Sequence, residues 1–571
     1  MRQSGGHSIV RRVRANSFSF GAVILACCLG TGCTVMPSPA VDSRVGKDPN
    51  ALTVVAEIAL ERGECKVAAE NYADAALRGP VTLARRASEV AVGCEHMPAA
   101  WQAVQRWYAL SPDDEEAALL YAEVALRLYR IPEARDALTR LLPQGETYGD
   151  DKLAELMGEL IEDSTPSAVL AALTGPLDLS RISPAGLALL GELALDAQNV
   201  ARAERFARDA LALDAKAVAP KRVLARVYVM QGDELNALAT ARQVMREDAE
   251  GGKFELADVL VALDRFEEAR IELARLRAVE DTAPEANRRL ALLALESGDL
   301  AEAQWRLLEL ASNGQAGDVA LLYLADIAVR DGDTEAGLAG YKRLIDSSVA
   351  LTARTRAADL LLEKSDRTGA LELLDDYVSA HPESLFEMTL AKAHLFADHG
   401  ELDVGLALVK ASLERHPRHP SLEYDQAVLL ERDGQVKESV AVLERMLVDR
   451  PEDPVLLNAL GYTLADHGIE LHRAETLIRR ALVITPDSAA ALDSLGWVRF
   501  KQGDARGAVV ILQRAYELAR DAEIAAHWGE ALWVSGDQQQ ARKVWAAALA
   551  RTPDSDHLKA TVDRIVPAAG R

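Results

Sequence analysis

Residues 495–515 read LGWVRFKQGDARGAVVILQRA, and this stretch decides the fold. A small residue, Gly496, is followed twelve positions later by Ala508 and seven positions further by Ala515. Two antiparallel helices can cross closely only where side chains are small, and larger Leu, Val and Ile at helical spacing fill the layers between them. Gly503, seven positions after Gly496, supplies the turn. The stretch therefore predicts a helical hairpin.

The same spacing returns along the chain from residue 56 to the C-terminus. Near the start it consists of Ala56, Ala68 and Ala75, and Pro80 ends the second helix because its ring excludes the conformation that would continue it. Fifteen such units, 32–36 residues apart, have as their first small sites Ala56, Ser88, Ala122, Gly158, Gly191, Ala225, Ala257, Ala291, Ala325, Ala358, Ala393, Ala427, Gly461, Gly496 and Gly529. Predicted turn residues are Gly63, Gly232, Gly298, Gly332, Gly503 and Gly536. A stack of one small unit presents surface rather than a catalytic pocket.

This period of about 34 residues resembles the tetratricopeptide repeat, and the resemblance covers about nine tenths of the chain. It implies an all-α fold, a right-handed superhelical solenoid of about 14–15 helical hairpins over residues 51–566. The pattern is degenerate near residues 144–180, where Pro166 and Pro176 break the register. No β-rich segment is long enough to form a second domain.

The first 32 residues have the pattern of a signal peptide. They contain four arginines and no acidic residue, and an uncharged, mostly apolar run covers residues 18–29. This run is too short to span a membrane comfortably, and small residues lead from it to Cys33. The arrangement resembles a bacterial lipoprotein signal, which implies cleavage before Cys33 and lipidation (palmitate) of that residue. Two alternatives stay open: an ordinary cleaved signal with an incidental cysteine, and a twin-arginine signal at Arg11 and Arg12.

Residues 33–50 are predicted to be the lipidated N-terminus and a short extended tether, because they contain three prolines and few large apolar groups. Thr34, rather than an aspartate, follows the anchor. By resemblance to sorting signals, this residue implies that the chain is lipid-anchored to the outer membrane and faces the periplasm. Several acyl chains make such an attachment effectively stable.

The charge of the chain argues against a nucleic-acid partner. The whole sequence has a net charge of −24, and removal of the four signal-peptide arginines leaves −28. Nucleic-acid binding needs a basic stripe, which this composition does not favour. The same charge predicts little attraction to anionic lipid, so membrane attachment depends on the anchor.

Two of the five cysteines remain beyond the signal and the anchor: Cys65 and Cys94. Each lies near the turn of its unit, in the first and second units, and stacking of neighbouring units would bring these turns together. An oxidising periplasm permits a disulfide between them. The alternative is a pair of buried or free thiols.

We find no motif for catalysis or for a cofactor. The sequence has no phosphate-binding Gly-Lys-Ser/Thr loop, no His-Glu-x-x-His, no Gly-x-Ser-x-Gly and no cysteine cluster for zinc. His416 and His419 are three residues apart, but they flank Pro417 in a predicted turn, which favours a solvated loop over a metal site. We therefore predict a non-enzyme without catalytic residues, bound metal or cofactor.

The sequence is more informative about a binding surface than about an active site. In tetratricopeptide-like units the first helix lines the concave face, at positions three before, one after and four after the first small residue. In the last three units these positions hold Asn458, Tyr462, Asp493, Trp497, Phe500, Glu530 and Trp533. Aromatic residues are rare in this chain, so four of them together indicate a docking patch for a peptide or partner helix. The alternative is that Trp497 and Trp533 only pack against the next helix.

The family clamp that binds acidic C-termini needs Lys and Asn at these positions, whereas this chain has Asp493 and Glu530. The runs at residues 457–462 (LNALGY), 493–497 (DSLGW) and 525–530 (AAHWGE) instead resemble large outer-membrane tetratricopeptide lipoproteins. One member is the adaptor of a periplasmic carboxyl-terminal processing protease that degrades peptidoglycan hydrolases, and the resemblance implies such protein partners. A pilotin-like assembly lipoprotein for a secretion or pilus complex is the alternative, although such proteins are usually shorter. A glycosyltransferase or cellulose-export protein would need a further domain.

Overall fold

The computed structural model of the chain describes residues 48–142, 149–314, 317–553 and 555–566. Every regular element within these ranges is a helix, which confirms the predicted all-α fold. None of these helices combines the length and the apolar character that crossing a bilayer requires. The predicted signal peptide and Cys33, and the tether up to residue 47, lie outside the described residues.

The described residues divide into two compact units. Unit 1 comprises the residues up to Arg181 together with Ala411–Glu423. Its first part forms four helical hairpins, numbered 1–4 in chain order: α1 Pro49–Glu61 with α2 Cys65–Ala76, α3 Val81–Gly93 with α4 Met97–Leu110, α5 Glu115–Arg127 with α6 Ile131–Leu141, and α7 Asp150–Glu162 with α8 Pro166–Leu173. A short 3₁₀ helix, Leu179–Arg181, follows.

Unit 2 comprises Ile182–Lys410 and the residues from Tyr424 onward. The chain continues as hairpins 5–10, which are α9 Pro184–Asp196 with α10 Val200–Leu213, α11 Ala219–Gln231 with α12 Glu234–Glu247, α13 Glu255–Ala262 with α14 Phe266–Arg277, α15 Ala283–Glu296 with α16 Leu300–Ser312, α17 Asp318–Arg330 with α18 Thr334–Lys342, and α19 Ala350–Glu363 with α20 Arg367–Ala380.

Hairpins 11–15 follow a 3₁₀ helix at Pro382–Ser384. They are α21 Leu385–Asp398 with α22 Leu402–Arg415, α23 Pro420–Arg432 with α24 Val436–Asp449, α25 Pro454–Asp466 with α26 Leu471–Ile484, α27 Ala489–Lys501 with α28 Ala505–Leu518, and α29 Ala522–Ser535 with α30 Gln538–Arg551. The last helix, α31 Asp556–Ile565, packs against α29 and α30. The fifteen hairpins of the described residues thus correspond one to one with the fifteen units predicted from the spacing.

The first small residue of each hairpin is buried in fourteen of the fifteen cases, because it lies where the two helices cross. Gly496 illustrates the close approach, since a Cβ placed there would lie 2.5 Å from Leu512 Cγ on the second helix. Hairpin 4 departs from the prediction. Gly158 is exposed and a Cβ there would meet no atom within 4 Å, because α7 buries Met157 and Leu160 instead. The assignment of Gly158 as a crossing residue was therefore wrong.

The turn within each hairpin follows one backbone rule. Seven positions after the first small residue, fourteen hairpins have a residue with positive φ, and hairpin 4 does not. At Gly232 the backbone N–H groups of Gly232 and Asp233 donate to the carbonyls of Val229 and Tyr228, which closes the end of α11. The Asp233 carboxylate then accepts from Asn236 N at 3.1 Å and caps α12. Nine of the turn residues are glycine, and the others are Glu95, Tyr129, Gln198, Asp264 and Ser365.

The crossing glycines make the packing between helices testable. At Gly529 a Cβ would collide with the indole of Trp545, so we expect Gly529→Ala to lower the free energy of unfolding by about 1–3 kcal/mol. The matched control is Gly158→Ala, which should be neutral or stabilise by up to about 1 kcal/mol, because helix propensity improves without a clash. Urea denaturation of both variants compares them. Equal effects at the two sites would contradict this packing.

Candidate functional site

The first helices of successive hairpins are joined by polar contacts about one repeat apart in sequence. Arg432 Nη2 on α23 lies 2.8 Å from Asp398 Oδ1 on α21. On α27, Trp497 Nε1 donates to Asp466 Oδ1 on α25 at 2.9 Å. Trp497, one of the predicted docking residues, therefore also connects neighbouring hairpins.

Trp497 is at the centre of the predicted patch, and it is buried, with 6% of its surface exposed. Its ring stacks on His527 with centroids 4.1 Å apart, and on Phe500 with centroids 5.1 Å apart. Lys501 Nζ lies 4.7 Å from the ring centroid. The structure thus gives Trp497 a packing role, which was one of the two alternatives.

His527 and Asp493 form a buried pair beside this ring. His527 Nδ1 lies 3.0 Å from both carboxylate oxygens of Asp493, and the two residues are 3% and 5% exposed. Burial lowers the pKa of His527, but the Asp493 carboxylate outweighs burial, so the pKa of His527 lies above its usual value. Burial also raises the pKa of Asp493, so the pair is an imidazolium–carboxylate ion pair between the pKa of Asp493 and that of His527.

Tyr462 borders the same cluster with its ring centroid 6.3 Å from that of His527, and Asn458 lies on the same helix, α25. The half-buried Tyr462 donates from its hydroxyl to Glu523 Oε1 at 2.7 Å. Burial and the Glu523 carboxylate raise the pKa of Tyr462 above its usual range, so the phenol stays neutral and remains a donor. Asn458 Oδ1 is buried and accepts no hydrogen bond in the structure.

Glu530 and Trp533 both lie on α29 and contact different partners. Both Glu530 oxygens accept from Arg564 on α31, at 3.0 and 2.7 Å. The half-buried Trp533 ring stacks on Trp545 with centroids 5.9 Å apart, and the Arg542 guanidinium lies 5.2 Å from its centroid. Of the seven predicted residues, the structure brings Asp493, Trp497 and Phe500 into one network with His527, whereas Glu530 and Trp533 contact other partners.

Sequence reasoning missed three residues of the network: Asp466, Glu523 and His527. They lie outside the three positions considered in each unit, and their partners are on other hairpins. Asp466 and His527 contact the neighbouring hairpin, whereas Glu523 contacts Tyr462 two hairpins away, which a single-repeat pattern does not identify. The carboxylates of Asp466 and Glu523 give the aromatic cluster an acidic border, whereas Asp493 is buried and paired with His527. Among the described residues, no group of three or more His, Cys, Asp or Glu side chains could hold a metal ion.

The structure contradicts our prediction that His416 and His419 lie in a solvated loop. Both are buried, at 9% and 6% exposure, within the part of unit 1 formed by Ala411–Glu423. His416 Nδ1 lies 3.1 Å from the carbonyl oxygen of Cys94, and burial lowers the pKa of His419 to about 4. Packing of this segment against the turn of hairpin 2 is non-local, so the local polar sequence predicted exposure.

The cysteines of hairpins 1 and 2 are adjacent in the structure. Cys65 begins α2, Cys94 follows α3, and their sulfur atoms are bonded with the Cα atoms 5.3 Å apart. Stacking of the two hairpins brings the turns together, as the sequence argument required. Peptide mapping can establish whether the bond forms in the protein from its own compartment.

We expect non-reducing peptide mapping of the mature protein to recover Cys65 and Cys94 in one linked peptide. The bond closes a loop with a sequence separation of 29, so its reduction should lower the stability of hairpins 1 and 2 by about 2–4 kcal/mol. Hairpins 13–15 should be unchanged, because a hairpin contacts mainly its neighbours. Thermal unfolding with and without reductant measures the difference, and recovery of two free thiols would contradict the pairing.

Two comparisons with known proteins match parts of the chain to tetratricopeptide repeats. A family model described as tetratricopeptide repeat matches residues 254–314 and 390–454. A tetratricopeptide repeat-containing protein of Pseudomonas aeruginosa is 30% identical over 213 residues, which are 37% of this chain and 36% of that protein. The match thus spans about a third of the length of this curated relative.

Solved structures are more distant. Yeast Tom70 is 11% identical, with 90% of this chain and 94% of that chain covered at a TM-score of 0.36. PilW, described as a widely conserved type IV pilus biogenesis factor, is 18% identical, with 38% and 100% covered at a TM-score of 0.29. Each segment matched by the family model spans two hairpins, and we conclude that the chain contains tetratricopeptide repeats.

Proposed function

We propose that this chain is a non-enzymatic scaffold that binds proteins on the first helices of its C-terminal hairpins. Tetratricopeptide repeats act as protein-interaction scaffolds. The observation that supports a site at this end is the acidic border of the aromatic cluster, with Phe500 and Trp533 only half-buried. Partly exposed aromatic rings provide large contact area, and nearby carboxylates favour a partner segment with cationic side chains.

The proposal extends to an outer-membrane anchor at Cys33 and to an adaptor role. In this account the partners are a periplasmic carboxyl-terminal processing protease and the peptidoglycan hydrolases that it degrades. Binding both on one anchored chain raises their effective concentration without any chemistry from the scaffold itself. The support for these partners is the resemblance of the C-terminal runs and of the N-terminal signal.

A degradation assay tests the adaptor role. The mature chain alone should leave a wall hydrolase intact, and adding it to the cognate processing protease should speed the loss of that hydrolase. The control is the protease with a Phe500→Ala/Trp533→Ala form, which removes the two half-buried rings. Hydrolysis by the chain alone would contradict the prediction that it is not an enzyme. An unchanged rate of degradation by the protease would contradict the adaptor role, but not a scaffold role with other protein partners.

A further inference from the structure

Within unit 2, hairpins that are about eight repeats apart in sequence contact each other at their edges. The backbone N–H of Asp487, which follows α26, donates to the carbonyl of Gln198 at 3.0 Å. The Asp487 carboxylate accepts from Val200 N at 2.9 Å. Arg514 on α28 donates to the carbonyl of Met230 at 2.9 Å. Turns and helix ends of hairpins 5 and 6 therefore meet hairpins 13 and 14.

Charged side chains extend this contact to hairpin 7. Asp264, in the turn of hairpin 7, lies 2.6 Å from Arg520 and 3.8 Å from Arg551, which come from hairpins 14 and 15. Arg514 also lies 3.5 Å from Asp487. We call the contacting residues the edge latch: Gln198, Val200, Met230 and Asp264 on one side, and Asp487, Arg514, Arg520 and Arg551 on the other.

Two of the five non-glycine turn residues with positive φ belong to the edge latch. Gln198 and Asp264 are turn residues with φ of +54° and +57°, where nine other hairpins have glycine. Side chains other than glycine are disfavoured in this conformation. Both residues face the latch: Gln198 accepts the bond from Asp487, and the Asp264 carboxylate pairs with two arginines.

The edge latch is weaker than the packing between neighbouring hairpins. Its charged side chains keep 20–44% of their surface exposed, so dissolved salt screens their attraction. Neighbouring hairpins instead share buried apolar clusters, such as the one that joins Tyr516 of hairpin 14 to Leu532 and Trp545 of hairpin 15. Opening of the latch can therefore occur while every hairpin stays folded.

We propose that the edge latch is a conformational switch, closed at low ionic strength and opened when its charges are screened or removed. Opening separates hairpins 5–7 from hairpins 13–15 and exposes the backbone groups of Gln198, Val200 and Met230. This inference stands apart from the proposed docking function, because it depends only on contacts within unit 2.

A distance measurement tests the switch. Spin labels on p-acetylphenylalanine at Arg205 and Gln513, both exposed and outside the latch, report the separation of hairpins 5 and 14 in the full chain without involving cysteine. At about 0.05 M salt, where the charges are only weakly screened, molecules with the short distance between labels should dominate. Arg514→Gln/Arg520→Gln should lower the ratio of closed to open molecules roughly tenfold, because two ion pairs are lost.

The control variant is Arg208→Gln/Arg479→Gln, which removes two exposed arginines that pair within their own helices and should leave the distances unchanged. Circular dichroism establishes that each variant is folded. If the latch variant does not fold, the salt titration of the wild-type chain to 1 M, where the Debye length is about 3 Å, decides by itself. An unchanged distance distribution across salt and folded variants would overturn the switch.

Discussion

Replacing Trp497 with alanine should lower the free energy of unfolding of the C-terminal hairpins by about 3–5 kcal/mol. The indole is buried, stacks on two rings and donates to Asp466, so its removal leaves a cavity and takes one hydrogen bond from that carboxylate, which keeps Lys501 at 3.6 Å. Hydrogen exchange should increase in hairpins 13–15. Hairpins 1–4 should keep their protection, because stability in a repeat array is close to a sum over neighbours.

The matched control for this variant is Trp305→Ala. Trp305 on α16 is 53% exposed, so truncating it should change stability by no more than about 0.5–1 kcal/mol. Urea denaturation compares the two variants. Unfolding is followed by far-ultraviolet circular dichroism, because each variant has lost a tryptophan and fluorescence would not be comparable. If both substitutions had the same small effect, the packing role assigned to Trp497 would be wrong.

The second large effect is expected from His527→Ala. This change leaves the Asp493 carboxylate buried without its ionic partner, which costs about 3–5 kcal/mol in comparable buried pairs. His472→Ala is the control, because His472 lies exposed on α26 and truncation there should be nearly neutral. A double-mutant cycle with Asp493→Asn should show strong coupling, and additive single effects would contradict the pair.

The same pair makes stability depend on pH. The folded-state pKa of His527 lies above its unfolded value of about 6.5, so the native state binds the proton more tightly. This contribution is fully present below about pH 6.5 and is lost as pH rises through the raised pKa. Melting temperatures between pH 6 and 9 should therefore fall more for the wild type than for His527→Ala. If the melting temperatures of both proteins fell equally with pH, the His527–Asp493 pair would not be the source of the pH dependence.

The sequence predicts the fold well because its determinants are local. Crossing residues such as Gly496 and turn residues such as Gly232 recur at fixed distances within one hairpin, and each acts on helices that are adjacent in the chain. The exception at Gly158 occurs where α8 has only eight residues and the turn lacks a positive φ. There the pattern of small residues no longer corresponds to a helix crossing.

The sites depend on contacts that periodicity does not contain. His416 is buried by contact with Cys94, 322 residues away in sequence, and Asp487 contacts Val200 across 287 residues. The burial of Trp497 likewise depends on His527 of the next hairpin. Position within a repeat identifies the helix face on which a side chain lies, whereas neighbouring hairpins determine whether that side chain is free to bind a partner.

The docking claim is tested most directly by measuring melting and partner binding on the same alanine variants of Tyr462, Phe500, Trp533 and Trp497. The first three rings are half-buried, so we expect each substitution to weaken binding of the proposed protease by about 1–3 kcal/mol with near-normal melting. Trp497→Ala should lose binding only together with stability. Normal melting with undiminished binding in the first three variants would contradict the claim that this end of the chain is the docking surface.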